Sequence, residues 1–265
     1  MILTARTEIP DRTGRNKRND IAMKSPNITW ISSDDPPDAF PDIESAFDVP
    51  DGLLAAGGDL SPERLLYAYE HGIFPWYDDG QPILWWSPDP RCVIRPHEFH
   101  ISRRLRRSLA RSDFEVSFNL AFDQVIAACA EDRVGQQGTW ITNEMTDAYT
   151  HLHDEGWAHS IEIWQQDRLV GGLYGLAIGR AFFGESMFSH QTNASKTAML
   201  ALCKKMVSHD FEILDCQVES PHLVSLGATL VDRNKFAAIL RRACKENCGF
   251  QDWPAERRQV LDFLG

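Results

Sequence analysis

Asp215 and Gln217 stand two residues apart in a stretch, 211–218, that reads as a β-strand. Side chains alternate along a strand, so the carboxylate and the amide leave one face and Cys216 leaves the other. Burying both polar groups is costly unless each finds a partner, so a carboxylate and an amide aimed the same way at a strand's end point to a functional role. An ordinary solvated strand end is the competing reading. A second carboxylate, Glu185, sits in the apolar run Phe182-Phe-Gly-Glu-Ser-Met-Phe188. Burial raises a carboxyl pKa, whereas a bound cation favours its charged form; a structural salt bridge explains this residue equally well. Arg103, Arg104, Arg106, Arg107 and Arg111 form the third group. In a helix Arg103, Arg107 and Arg111 share one face, suited to tracking a phosphate backbone or simply to meeting water.

Other chemistries lack their residues. There is no G-x-x-x-x-G-K-[ST] phosphate loop, and Gly-Glu-Ser186 is not the G-x-S-x-G nucleophile turn. Gly171, Gly172 and Gly175 lie within one strand, where glycines mark a bulge or a close backbone approach more often than a phosphate cradle. The six cysteines form no C-x-x-C pair, so buried free thiols and no metal site are expected. His151 and His153, two apart on a helix, point to different faces.

The elements that must position these groups belong to a chain of 265 residues, 43% hydrophobic and 25% charged. That length buries a real core. No apolar run approaches the ~18 residues of a membrane helix, and the Trp and Phe content excludes a disordered chain. The formal net charge of −11 means that any nucleic-acid binding needs a local basic patch. Residues 1–27 read as a disordered tail, with Met23 an alternative start, and no secretory leader is recognisable. Residues 28–91 read as a small N-terminal α/β domain: a short strand and loop over 51–61, then a helix capped by Ser61, with Pro62 first and Gly72 as its stop. The proline-punctuated Ser87-Pro-Asp-Pro-Arg91 marks the boundary. Residues 92–265 read as a second domain, with helices over 102–111, 120–130 and 146–155, strands over 160–164, 168–178 and 181–188, a helix over 193–209 and the returning strand over 211–218. The fold class is α+β, its second domain a layer of the N-acetyltransferase (GNAT) type.

Taken together, Gly52-Leu-Leu-Ala-Ala-Gly-Gly-Asp-Leu-Ser61, Gly72-Ile-Phe-Pro-Trp76, Trp85-Trp-Ser-Pro-Asp-Pro-Arg91, Gly138-Thr-Trp-Ile141, Phe183-Gly-Glu-Ser-Met-Phe-Ser189, Asn193-Ala-Ser-Lys-Thr197, Asp215-Cys-Gln217 and His222-Leu-Val-Ser-Leu-Gly-Ala228 resemble the bacterial leucyl/phenylalanyl-tRNA–protein transferase family. The resemblance spans about residues 36 to 240. It implies transfer of Leu or Phe from Leu-tRNA or Phe-tRNA to proteins with N-terminal Arg or Lys, creating a bacterial N-degron, without acetyl-CoA, metal or other cofactor. A cytoplasmic monomer with no membrane association is expected. Asp215 and Gln217 match the family's catalytic pair, with Asp215 as proton acceptor, directly or by relay, and Gln217 orienting. By the same resemblance, Phe182, Met187, Met199, Leu202 and Leu214 line the Leu/Phe pocket. Trp76, Trp140 and Tyr149 match aromatics near the donor's terminal adenosine. Glu185 faces either the acceptor's basic residue or the donor's amine. Arg103, Arg106, Arg107 and Arg111 fall on the basic patch for the tRNA backbone. The rival readings are an acetyl-CoA-dependent N-acetyltransferase, against which the glycine-poor Ser189-His-Gln-Thr192 counts, and a non-catalytic tRNA or N-degron binding module.

Overall fold

The computed structural model describes residues 28–131, 141–245 and 256–264. The expectations for the tail, Trp140 and Cys248 lie outside them. The first sheet holds β1 (Thr29–Ile31), β2 (Leu53–Gly57), β3 (Phe74–Pro75) and β4 (Leu84–Trp86) in the order β1-β2-β4-β3. Helix α1 (Pro62–Glu70) joins β2 to β3. It starts at Pro62, where a missing N–H costs nothing, and Gly72, at φ +78°, turns the chain out of it.

Next in the chain come β5 (Arg91–Ile94), α2 (Arg103–Leu109), β6 (Glu115–Phe118), α3 (Phe122–Ala130), α4 (Asn143–Asp154), β7 (Ala158–Gln165), β8 (Arg168–Ile178) and β9 (Ala181–Ser189). After these lie α5 (Ala194–Ser208), β10 (Ile213–Gln217), α6 (Pro221–Val224), β11 (Thr229–Val231), α7 (Arg233–Ala243) and β12 (Arg258–Gln259). The second sheet has eight strands in the order β11-β5-β10-β9-β8-β7-β6-β12. Its centre is the expected one: β7, β8 and β9 are antiparallel, α5 crosses over, and β10 returns parallel to β9.

Two helices differ from expectation at their ends, because capping decides where a helix begins and stops. The Thr142 hydroxyl accepts the Met145 N–H at 3.2 Å, so α4 starts earlier than residue 146. Ser102 caps α2 in the same way, at 3.1 Å. That helix ends at Leu109, so Arg111 lies beyond it and the shared arginine face shrinks to Arg103 and Arg107. Strand β5, only four residues long and close to prolines on both sides, carries no readable period. It nevertheless sits between β11 and β10.

The second sheet buries a separate apolar cluster on each face. One, holding Phe182, Met199, Leu202 and Leu214, lies under α5. The other contains Tyr149, Tyr174 and Phe183 and continues through Tyr69, Phe74 and Trp85 into the first sheet. The two sheets therefore share one core. The β8 glycines serve close approach: a Cβ on Gly171 would lie 2.5 Å from that of Ala194, at the start of α5. Gly171→Ala is expected to destabilise the protein by about 1–3 kcal/mol through overpacking, read as a lower urea midpoint at an unchanged slope.

Strands β9 and β10 pair from Ala181↔Ile213 to Phe183↔Asp215, and β9 then runs on to Ser189. On its other side β9 pairs Gly184 with Gly175 and Ser186 with Tyr174, which leaves Glu185 as the extra residue of a bulge. The parallel pair thus opens into a wedge at the ends where Glu185 and Gln217 stand.

Candidate active site

An apolar slot lies in this wedge, enclosing about 260 Å3 of non-atom space including its open mouth. Met187 and Gly184 of β9, Leu214 and Cys216 of β10, and Met199 and Leu202 of α5 are among its walls. Four of the five expected pocket residues are there. Phe182 is not: it is fully buried, and its ring edge lies 2.6 Å from where a Gly175 Cβ would stand. It fills the room that glycine leaves in the core.

The opposite face is polar. The Glu185 carboxylate accepts from the Tyr149 hydroxyl at 3.0 Å and from the Gln217 side-chain amide at 2.9 Å. Tyr149 is bonded in turn to the Tyr69 hydroxyl. Burial pushes the Glu185 carboxyl up to about 7; bonds from Tyr69 and Tyr149 pull it back, and the Asp215 charge adds to the rise. Gln217 takes a left-handed backbone, φ +62°, that re-aims its side chain at the strand's end. Its Oε1 and the Tyr174 hydroxyl are buried and have no hydrogen-bond partner among the described residues.

Asp215 has a partner that the strand pattern does not announce. It is fully buried, and Arg91 grips it with two bonds, Nε to Oδ1 at 2.9 Å and Nη2 to Oδ2 at 2.7 Å. The Gln217 backbone N–H adds a third, to Oδ1 at 2.9 Å. Both of its oxygens are thereby engaged, one by Arg91 and the Gln217 backbone, the other by Arg91. Asp215 and Gln217 do share one face, as the alternation predicts: Arg91 and Glu185 receive them there, while Cys216 lines the slot behind. Arg91 was missed as a site residue. Its signal was a cation opening the apolar run Arg91-Cys-Val-Ile94.

Tyr149 also differs. Its ring is fully buried, edge-on to Tyr174 with centroids 5.6 Å apart, and so presents no open face to an adenine. It holds Glu185 instead. Trp76 is half-buried, its ring tilted against Trp86 at 5.6 Å. Arg103, Arg106, Arg107 and Arg111 are exposed, and Arg106 also donates to the Leu264 carbonyl. Among the described residues no group of three or more His, Cys, Asp or Glu could hold a metal ion, and no helix is long and apolar enough to cross a membrane.

An apolar slot thus lies on the same two strands as a carboxyl pushed up to about 7 and an unpaired amide oxygen. Such an arrangement can seat an apolar side chain near a group able to accept a proton, and the class of protein it fits is a group-transfer enzyme. The family description "Leucyl/phenylalanyl-tRNA protein transferase" matches residues 93–241, and that of the family's N-terminal domain matches residues 58–89. The leucyl/phenylalanyl-tRNA–protein transferase of Stutzerimonas stutzeri (strain A1501) is 54% identical over 213 residues, 80% of this chain and 93% of that protein. Its namesake in Hahella chejuensis (strain KCTC 2396) is 55% identical over 201 residues, 76% of this chain and 86% of that one. Among solved structures, L-PGS from Bacillus licheniformis is 9% identical at a TM-score of 0.36, covering 61% of this chain and 52% of that one, too distant to bear on activity. The chain belongs to the leucyl/phenylalanyl-tRNA–protein transferase family. It is an aminoacyltransferase whose substrates are aminoacyl-tRNA and protein.

Proposed function

We propose that this enzyme moves Leu or Phe from the tRNA 3′ end to the N-terminal Arg or Lys of acceptor proteins, marking them for N-degron-dependent degradation. The observation that carries this reading is the apolar slot in the β9/β10 wedge with Glu185 and Gln217 on the strands that form it. A buried Leu or Phe side chain contributes about 1.5–3 kcal/mol, and the two flexible methionines accommodate a branched chain or a ring.

The donor is already an activated ester, so the reading needs no cofactor. The acceptor's α-amine, with a reference pKa of about 7.7–8.0, is partly neutral at pH 7. Its nitrogen attacks the ester carbonyl carbon. The C–N bond forms, the C–O bond to the ribose breaks, and a proton leaves the amine and ends on the ribose oxygen. Gln217 Oε1 accepts an N–H of the amine and aims its lone pair. Glu185, at about 7, is matched to take the proton and return it. Asp215 serves through its bond to the Gln217 backbone. Trp76 stacks on the terminal adenine, worth about 1–3 kcal/mol. This reading also takes the second sheet as GNAT-type, because its parallel β9/β10 pair opens where acyl transfer would occur. It keeps the domain division near residue 91, where the second sheet's first strand starts. The enzyme is read as a cytoplasmic monomer.

The test is transfer of radiolabelled Leu and Phe from charged tRNA to an otherwise identical Arg-, Lys- or Gly-initiated protein. Product on the first two alone is expected; none, or equal labelling of all three, rejects the reading. Arg103→Glu with Arg107→Glu is expected to weaken tRNA binding at low salt and reduce the slope of log K against log salt by about 2, one unit for each lost phosphate contact. Filter binding across a salt series measures it, and an unchanged slope removes α2 from the interface.

A further inference from the structure

We infer that Arg91 is a positioning residue for the transfer reaction, joining the segment that leads to Trp76 to the Asp215–Gln217 end of β10. The inference rests on the reading of the wedge as the transfer site. Arg91 is almost wholly buried, with its guanidinium 4.7 Å from the ring centroid of Phe74 and 4.9 Å from that of Phe236. Each of its three nitrogens makes one hydrogen bond. Nε and Nη2 hold Asp215, and Nη1 donates to the Gly72 carbonyl at 3.1 Å.

These bonds are two links of a closed circuit. From Gly72 it passes through Arg91 to Asp215, from Asp215 to the Gln217 backbone, and from the Gln217 amide to Glu185. From Glu185 it passes to Tyr149 and Tyr69, which lies in the last turn of α1, just before Gly72. Both ends of the polar network are thus tied to one turn of chain, and four residues after Gly72 comes Trp76. A buried ion pair is a poor way to gain stability, since apolar side chains of equal volume do as well or better. Planar, two-point geometry is what it supplies. Here that geometry holds Asp215, hence the left-handed Gln217, in register with the donor's seat. A lysine carries the same charge but only a point contact, and cannot grip both carboxylate oxygens and Gly72 together.

The test is kinetic, in the full-length enzyme, with Arg91→Lys, Gln217→Ala and the double variant. Arg91→Lys is expected to lower kcat by about 30-fold, the scale of a sub-ångström misplacement, with KM for aminoacyl-tRNA and for acceptor changed less than about threefold. On Gln217→Ala the same replacement should cost less than about threefold more, because the two residues act as one unit. A merely structural role predicts losses that multiply, or a raised KM; either overturns the inference, as does a kcat near wild type. Should Arg91→Lys fail to fold, Phe236→Leu, which removes one ring beside the guanidinium and no hydrogen bond, replaces it: a smaller kcat loss that vanishes on Gln217→Ala is expected, and a multiplying loss overturns it. If the wild type transfers neither Leu nor Phe, the proposed function fails; if it does and the cycle is additive, only the role of Arg91 fails.

Discussion

Glu185→Gln is expected to cut kcat by about 10²–10⁴-fold and to remove one of the two ionisations expected near neutrality in the pH–rate profile, leaving only the rise from the acceptor amine's own deprotonation. Burial holds this carboxyl near 7 rather than at its ordinary value near 4.5. Below 7 it is protonated and cannot accept the amine's proton; above 7 it can. The same shift has a thermodynamic sign. The folded protein binds a proton that the unfolded chain has already released, so stability from this group is fully present below the unfolded pKa and is lost as pH rises through about 7. The size is roughly 3 kcal/mol for a shift of this order. Glutamine keeps the shape and does not titrate. Its melting temperature should therefore fall less than that of the wild type from about pH 5 to about pH 8. Parallel pH–rate and pH–melting series on the two proteins give both readouts, and superimposable profiles would take Glu185 out of the mechanism.

Asp215→Ala is expected to do two kinds of damage. Turnover falls by about 100-fold or more, because Gln217 loses the carboxylate that fixes its backbone. Stability falls by about 3–5 kcal/mol, because Arg91 is left buried and unpaired. The second effect can be separated from the first. Arg91→Met combined with Asp215→Leu removes both charges and should recover most of the lost urea midpoint while leaving turnover low. Recovery of activity along with stability would show that the pair matters only to folding. Wild-type turnover in Asp215→Ala would remove it from the site altogether.

Much of this architecture is legible in the sequence. The β7-β8-β9 hairpins, the α5 crossover and the returning β10 follow from period-two and helical spacing interrupted by turns. The strand glycines read as points of close approach, and Gly171 packs directly beneath Ala194. Four residues that line the slot, Met187, Met199, Leu202 and Leu214, are ones the family resemblance points to. Helix ends were less legible: α4 begins where Thr142 can cap it, and α2 stops before Arg111. Strand β5 was invisible, since four residues beside prolines have no period to read.

The family, the order of the central elements and the common face of Asp215 and Gln217 can be read along the chain, because motif identity and side-chain alternation are local properties. Which groups become partners is settled only when the chain is folded. Arg91 meets Asp215 across 124 residues, Tyr149, expected near the donor's terminal adenosine, is the group that holds Glu185, and a one-residue bulge puts Glu185 at the wedge. A buried charge takes whichever opposite group the fold delivers within about 3 Å, and no local period encodes that delivery.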